Sequence, residues 1–136
     1  MEFANHICEN LRQVYPNDSF VAYTNDSAIT GNCEFICDMN GTRVCRLSLS
    51  SANAIGDSAL KSLLHRVVFE SKSMSDSPER ASHIREQIDK MLPAYYATVF
   101  VTAVSSNDRP QVYGPHKGLA YFWEPEFGEN VTIVLH

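Results

Sequence analysis

Two groups of side chains in this sequence have the types and spacing to do chemistry. Cys33, Cys37 and Cys45 fall within one short stretch, and His6 or His116 brought beside any of them in space would make the thiol–imidazole pair from which nucleophilic cysteines are built. His83 stands three positions before Glu86 and six before Asp89, so a helical face there could carry an acid–base set. Both have plainer explanations. A single i, i+3 pair is common on any surface helix, and the Cys-x3-Cys-x7-Cys spacing lacks the short paired knuckles that zinc requires. Cys45 lies across a turn from the other two, where cross-strand packing accounts for it. His65 falls at the edge of an apolar helix face and is expected to pack beside it, and His136, the last residue, is expected to be disordered. No glycine-rich phosphate loop, nucleophile elbow or paired-carboxylate motif occurs. The expectation is a non-enzyme without metal or cofactor; a Cys/His-dependent hydrolase is the alternative, and it would require one cysteine of depressed pKa.

The elements that must position these residues follow from hydrophobic spacing. Phe3, Ile7, Leu11 and Val14 recur as on one helical face, which Pro16 and its Asn-Asp neighbours end. "SFVAYT" reads as a short strand, and "CEFICDMNGTRVCRLSLS" as two alternating runs around Asn40-Gly41, a hairpin from Cys33 to Leu49. Leu60, Leu63, Leu64, Val67 and Val68 define a helix with one buried face, with Asp57 available as its N-cap. After the linker "SKSMSDSPER", Ser77 as N-cap and Pro78 at the first position open a further helix over 78–91, which Pro93 closes. On it Ile84, Ile88, Met91 and Leu92 should face a sheet while His83, Arg85 and Lys90 line the polar side. Four strands follow, "YYATVFVTA", "PQVYG", "GLAYFWE" and "NVTIVLH", separated by turn-forming residues. Tyr121 and Trp123 share one strand face and Phe122 takes the other. The order predicts an α+β fold: two central helices on an antiparallel sheet of about four to six strands, with an extra N-terminal helix and hairpin.

Composition sets outer limits. The 136 residues, 44% hydrophobic and 20% charged, describe one ordinary domain, 1–136. A net charge of −5 with scattered Lys and Arg disfavours nucleic acid and anionic membranes as partners. The N-terminal segment "MEFANHICENLRQVY" lacks a basic region before a long apolar core, and no run approaches a membrane span, so a cytoplasmic location is expected. In that setting the four cysteines, Cys8 with the three above, should be free buried thiols. The sequons at Asn17, Asn25, Asn40 and Asn130 should go unused.

Taken together, Asp57-Ser58, then Ala81, His83, Ile84, Arg85, Asp89 and Lys90, Pro93 before an aromatic, Lys117 ahead of "AYFW", and the closing "GENVTIVL" resemble the eight-kilodalton dynein light chain family. The resemblance covers about residues 44–136, with "RVCRLSLS" where the family's first strand belongs and residues 1–43 as an addition. Here the interhelix linker is longer, and "VSSNDRPQVYGPH" replaces the family's short turn. The resemblance implies a homodimer that binds an extended peptide of a partner protein by strand addition, backbone groups supplying affinity and side-chain pockets selectivity. The edge it implies is Gln111, Val112, Tyr113 and Gly114, ending at His116 and Lys117, with Tyr121 and Trp123 on a neighbouring strand. It also implies that residues 44–136 fold and dimerise alone. The alternative binding function is a small acidic accessory protein, of the kind viruses use, that inhibits one host factor.

Overall fold

Alternating and helical periods give three helices and eight strands among the described residues. The computed structural model describes residues 2–39, 41–48, 58–103, 110–113, 120–124 and 129–136. Helix α1 (Glu2–Val14) leads to β1 (Ser19–Thr24), β2 (Ala28–Thr30) and the hairpin β3 (Cys33–Met39) and β4 (Thr42–Leu47). Helices α2 (Ser58–Glu70) and α3 (Ser77–Met91) come next, then β5 (Ala97–Ala103), β6 (Gln111–Tyr113), β7 (Ala120–Glu124) and β8 (Glu129–Leu135). The α+β class read from the sequence is the observed one. The strands, however, form two antiparallel four-stranded sheets rather than one, in the orders β3-β4-β1-β6 and β2-β5-β8-β7.

The central strands of each sheet bury both faces, which gives four layers. On β1, Phe20 and Ala22 face α1 with Cys8 and Val44, while Val21 and Tyr23 face the second sheet with Cys45 and Leu47. Phe100 and Val134 meet them there, and the Tyr23 and Phe100 rings stand 5.2 Å apart, tilted. The opposite face of the second sheet, Ala97, Val99, Val101, Val131, Ile133 and Leu135, is covered by Leu64, Val67 and Val68 of α2 and by Ala81, Ile84 and Ile88 of α3. Met91 and Leu92 pack at the margin of this cluster, as their spacing predicted.

The local signals held where they were strong. The β3–β4 hairpin closes at Met39 opposite Thr42, and Gly41 takes φ +79. The N-cap of α3 is Asp76, one residue before the expected Ser77: its side chain accepts from Glu79 N. Asp57 lies outside the described residues. Val14 is 67% exposed, and the sheet-facing stripe of α1 takes in Cys8 instead. His136 is buried, its backbone paired with Tyr96 in both directions, and so is ordered rather than frayed. His65 is exposed.

The first 43 residues prove integral. β1 sits between β4 and β6, and a cut before Val44 runs through β4. The strand expected to begin a separate 44–136 unit is thus paired with β1 and β3, and removing residues 1–43 would strip two strands and the covering helix from the first sheet. Asn17 and Asn25 lie exposed in turns, Asn130 is buried on β8, and Asn40 lies outside the described residues.

Candidate partner-binding edge

Among the described residues the first sheet ends on β3, a seven-residue strand paired on one side with β4. Its sequence, apolar at Cys33 and Phe35 and then again at Ile36 and Cys37, breaks the two-residue period. The structure shows why: Phe35 pairs with Cys45 and Cys37 with Val44, leaving Ile36 as the extra residue of a β-bulge. The bulge turns Cys37 to the α1 side, while Cys33 joins the cluster between the sheets. Two cysteines that plain alternation would place on one face thus end on opposite faces.

At the bulge, Phe35 is 57% and Ile36 37% exposed, adjacent large apolar residues on an edge. Charged pairs flank them on β3 and its neighbour. Arg46 donates to Glu34 at 2.6 Å and lies 3.5 Å from Asp18, and Arg43 donates to Asp38 at 3.4 Å. All are solvent-exposed, so each is worth at most about 1 kcal/mol; their effect is to leave the apolar pair as the feature of the edge. A disulfide between Cys33 and Cys45, with Cα atoms 5.6 Å apart, fastens β3 to β4 beneath it. This corrects the expectation of four free thiols: only Cys8 and Cys37 are free.

The residues expected to form a single binding edge are dispersed. Gln111, Val112 and Tyr113 do form an edge strand, β6, pairing with Ala22, Val21 and Phe20. Val112 packs between the sheets and Tyr113 beneath α1, where burial raises its hydroxyl pKa, so little of either side chain is offered outward. Tyr121 and Trp123 lie on β7, at the edge of the other sheet, and are not on a strand neighbouring β6. Gly114, His116 and Lys117 fall outside the described residues.

Several parts of the chemical alternatives are engaged elsewhere in the fold. Cys33 and Cys45 are bonded to each other, and burial, aided by the charges of Cys37 and Glu9, pushes the Cys8 thiol up to about 12. His6 is exposed on α1. His83 and Glu86, with Met74, Pro78, Glu79 and Ser82, line an open depression of about 430 Å³ on the outer side of α3, while Asp89 faces Arg85 at 3.7 Å. Arg85 itself reaches off the polar side to donate to Asn32 at 3.2 Å in the β2–β3 turn. Among the described residues no group of three or more His, Cys, Asp or Glu could hold a metal. No described helix is long and apolar enough to cross a membrane.

Compared with known proteins, the chain matches no family model, no curated protein and no solved structure. Two polar clusters missed by the sequence reading fasten the helices and the end of β4 to the second sheet. Arg80, fully buried, donates to Ser71 Oγ at 3.0 Å, to the Val68 carbonyl at 3.3 Å and to Glu129 at 3.1 Å, tying both helices to the start of β8; Ser77 also donates to Glu129. At the other end of β8, His136 Nδ1 donates to the Ser48 carbonyl, and its Nε2 accepts from Thr98 Oγ1 at 2.8 Å. Because a carbonyl can only accept, the neutral tautomer carries its proton on Nδ1. Burial lowers the His136 pKa, the Ser48 bond raises it, and Arg85 lowers it further.

Proposed function

We infer that this protein is a non-enzymatic binding module that takes up an extended segment of a partner protein by strand addition at β3. One observation carries this: an edge strand that presents two adjacent exposed apolar side chains, Phe35 and Ile36, beside its outward backbone. A seven-residue strand offers backbone hydrogen bonds over its length, and the underlying disulfide and hairpin hold it ready at little ordering cost. Strand addition is the mode implied by the dynein light chain resemblance; β3, rather than β6, is the edge with side chains to offer. The homodimer that resemblance implies belongs to the same proposal, a second copy and a foreign peptide being rivals for such an edge. The Cys33–Cys45 bond favours surroundings that keep disulfides oxidised over the cytoplasm.

Covering the exposed part of Phe35 alone removes roughly 100 Å² of apolar surface from water, about 2 kcal/mol or thirtyfold in Kd. Panning a library of extended ten-residue peptides against the intact protein should enrich sequences with paired apolar residues. Their affinity should fall about thirtyfold on F35K and by less on I36K. Binders whose affinity is unchanged on both variants would place the site elsewhere.

A further inference from the structure

The two thiols left free, Cys8 and Cys37, share one apolar pocket. Cys8 is completely buried on the sheet-facing side of α1, and Cys37 packs into the same cluster from β3, opposite Val44. Only the bulge at Ile36 makes this meeting possible, since an unbroken strand would turn Cys37 with Cys33 into the space between the sheets. The sulfurs feel each other: after burial itself, charge on Cys37 is the largest influence raising the Cys8 pKa. The chain already carries one disulfide, so oxidation of its thiols is chemistry this fold accommodates.

We propose that Cys8 and Cys37 form a second disulfide, which fastens α1 to the edge strand β3 when the protein meets a disulfide oxidant. Cys37 is half-buried and is the sulfur an oxidant reaches first. Its thiolate attacks one sulfur of oxidised glutathione, expels a glutathione thiolate and becomes a mixed disulfide. The Cys8 thiolate then attacks the Cys37 sulfur, expels the second glutathione and closes the bond. Two protein thiols lose two protons and two electrons, and both electrons end on the two reduced glutathione molecules. Since the Cys8 thiol sits at about 12, its thiolate is scarce near neutrality and grows tenfold with each pH unit, so closure is slow and accelerated by base. The product pins β3 beside its bulge and covers the last free thiols without disturbing the face between the sheets. This bond stands or falls separately from peptide binding.

The test uses the full chain with Cys33–Cys45 intact, incubated with oxidised glutathione, denatured, alkylated with iodoacetamide and digested without reduction. The expected result is no alkylated cysteine, an intact mass about two daltons lower and a cross-linked peptide pair containing Cys8 and Cys37. Closure from the mixed disulfide should accelerate roughly tenfold per pH unit above neutrality. In C8A, Cys37 should stop at the glutathione adduct, and in C37S, Cys8 should remain alkylatable after denaturation. Alkylation of both free cysteines in the wild type, arrest at the Cys37 adduct, or pairing of Cys8 with Cys33 or Cys45 would each overturn the assignment.

Discussion

Replacing Arg80 by Met tests how the helical layer is held to the sheet that supports the site. Met preserves most of the apolar stem but removes every donor of a fully buried guanidinium. Hydrogen bonds to Ser71, Val68 and Glu129 go. Ser71 still donates to the Val68 carbonyl at 2.7 Å and Ser77 to Glu129, so the main loss is a half-buried carboxylate stripped of its cation. Breaking such a pair by removing one partner costs about 3–5 kcal/mol. Against a total stability of about 5–15 kcal/mol, R80M should remain folded but lose roughly 3–4 kcal/mol, read as a fall of about 1.5–2 M in the urea midpoint. E129Q keeps an acceptor for Arg80 and should cost about 1–2 kcal/mol. In R80M/E129Q the losses should fall short of additivity by about 1–2 kcal/mol, because the stranded charge is gone. Urea unfolding followed by circular dichroism, with m unchanged across the four proteins, reads the cycle. An R80M loss below about 0.5 kcal/mol, or plain additivity, refutes the reasoning.

Three further outcomes follow from particular contacts. At Gly31, φ +152, an added Cβ would stand 2.5 Å from Thr98 Cα, so G31A should cost about 3 kcal/mol or more, whereas G41A, at φ +79 in open space, should cost about 1–2 kcal/mol; urea midpoints compare them. His136 has a folded pKa below its ordinary value of 6.5, so the unfolded chain takes up the proton first. Stability should therefore be complete above about pH 6.5 and decline as pH falls towards the lowered value, a slope that H136Q should flatten and that thermal melts across pH 5–8 would detect. Reducing Cys33–Cys45, which spans 12 positions, should cost about 3 kcal/mol or roughly 10 °C in Tm, and dithiothreitol should leave the melt of C33A/C45A unchanged.

Much of this fold was legible because its signals are local. Asn40-Gly41 marked the hairpin, Leu64, Val67 and Val68 the buried face of α2, and "NVTIVLH" a strand. What stayed hidden was set by distant partners. Nothing near "SFVAYT" says that it pairs with Gln111–Tyr113, so one sheet could not be told from two. The three residues of β2 are too few for alternation to register. Arg80 looks like any helix-surface cation until Glu129 arrives from β8. The candidate site had a readable trace in the Phe35-Ile36 pair, whose break in period marks the bulge and the two exposed residues. The expectation of free thiols followed from compartment alone, whereas Cys33 and Cys45 sit two residues off register on neighbouring strands, where a disulfide fits.

Strand addition at β3 is tested most directly by amide hydrogen exchange on the intact protein with and without a peptide selected on it. The account predicts slowed exchange for the amides of Cys33–Met39, reaching into β4 only weakly, and no slowing when F35K is mixed with the same peptide. Protection confined to Gln111–Tyr113, or to the outer face of α3 around His83, with β3 exchanging as in the free protein, would contradict it.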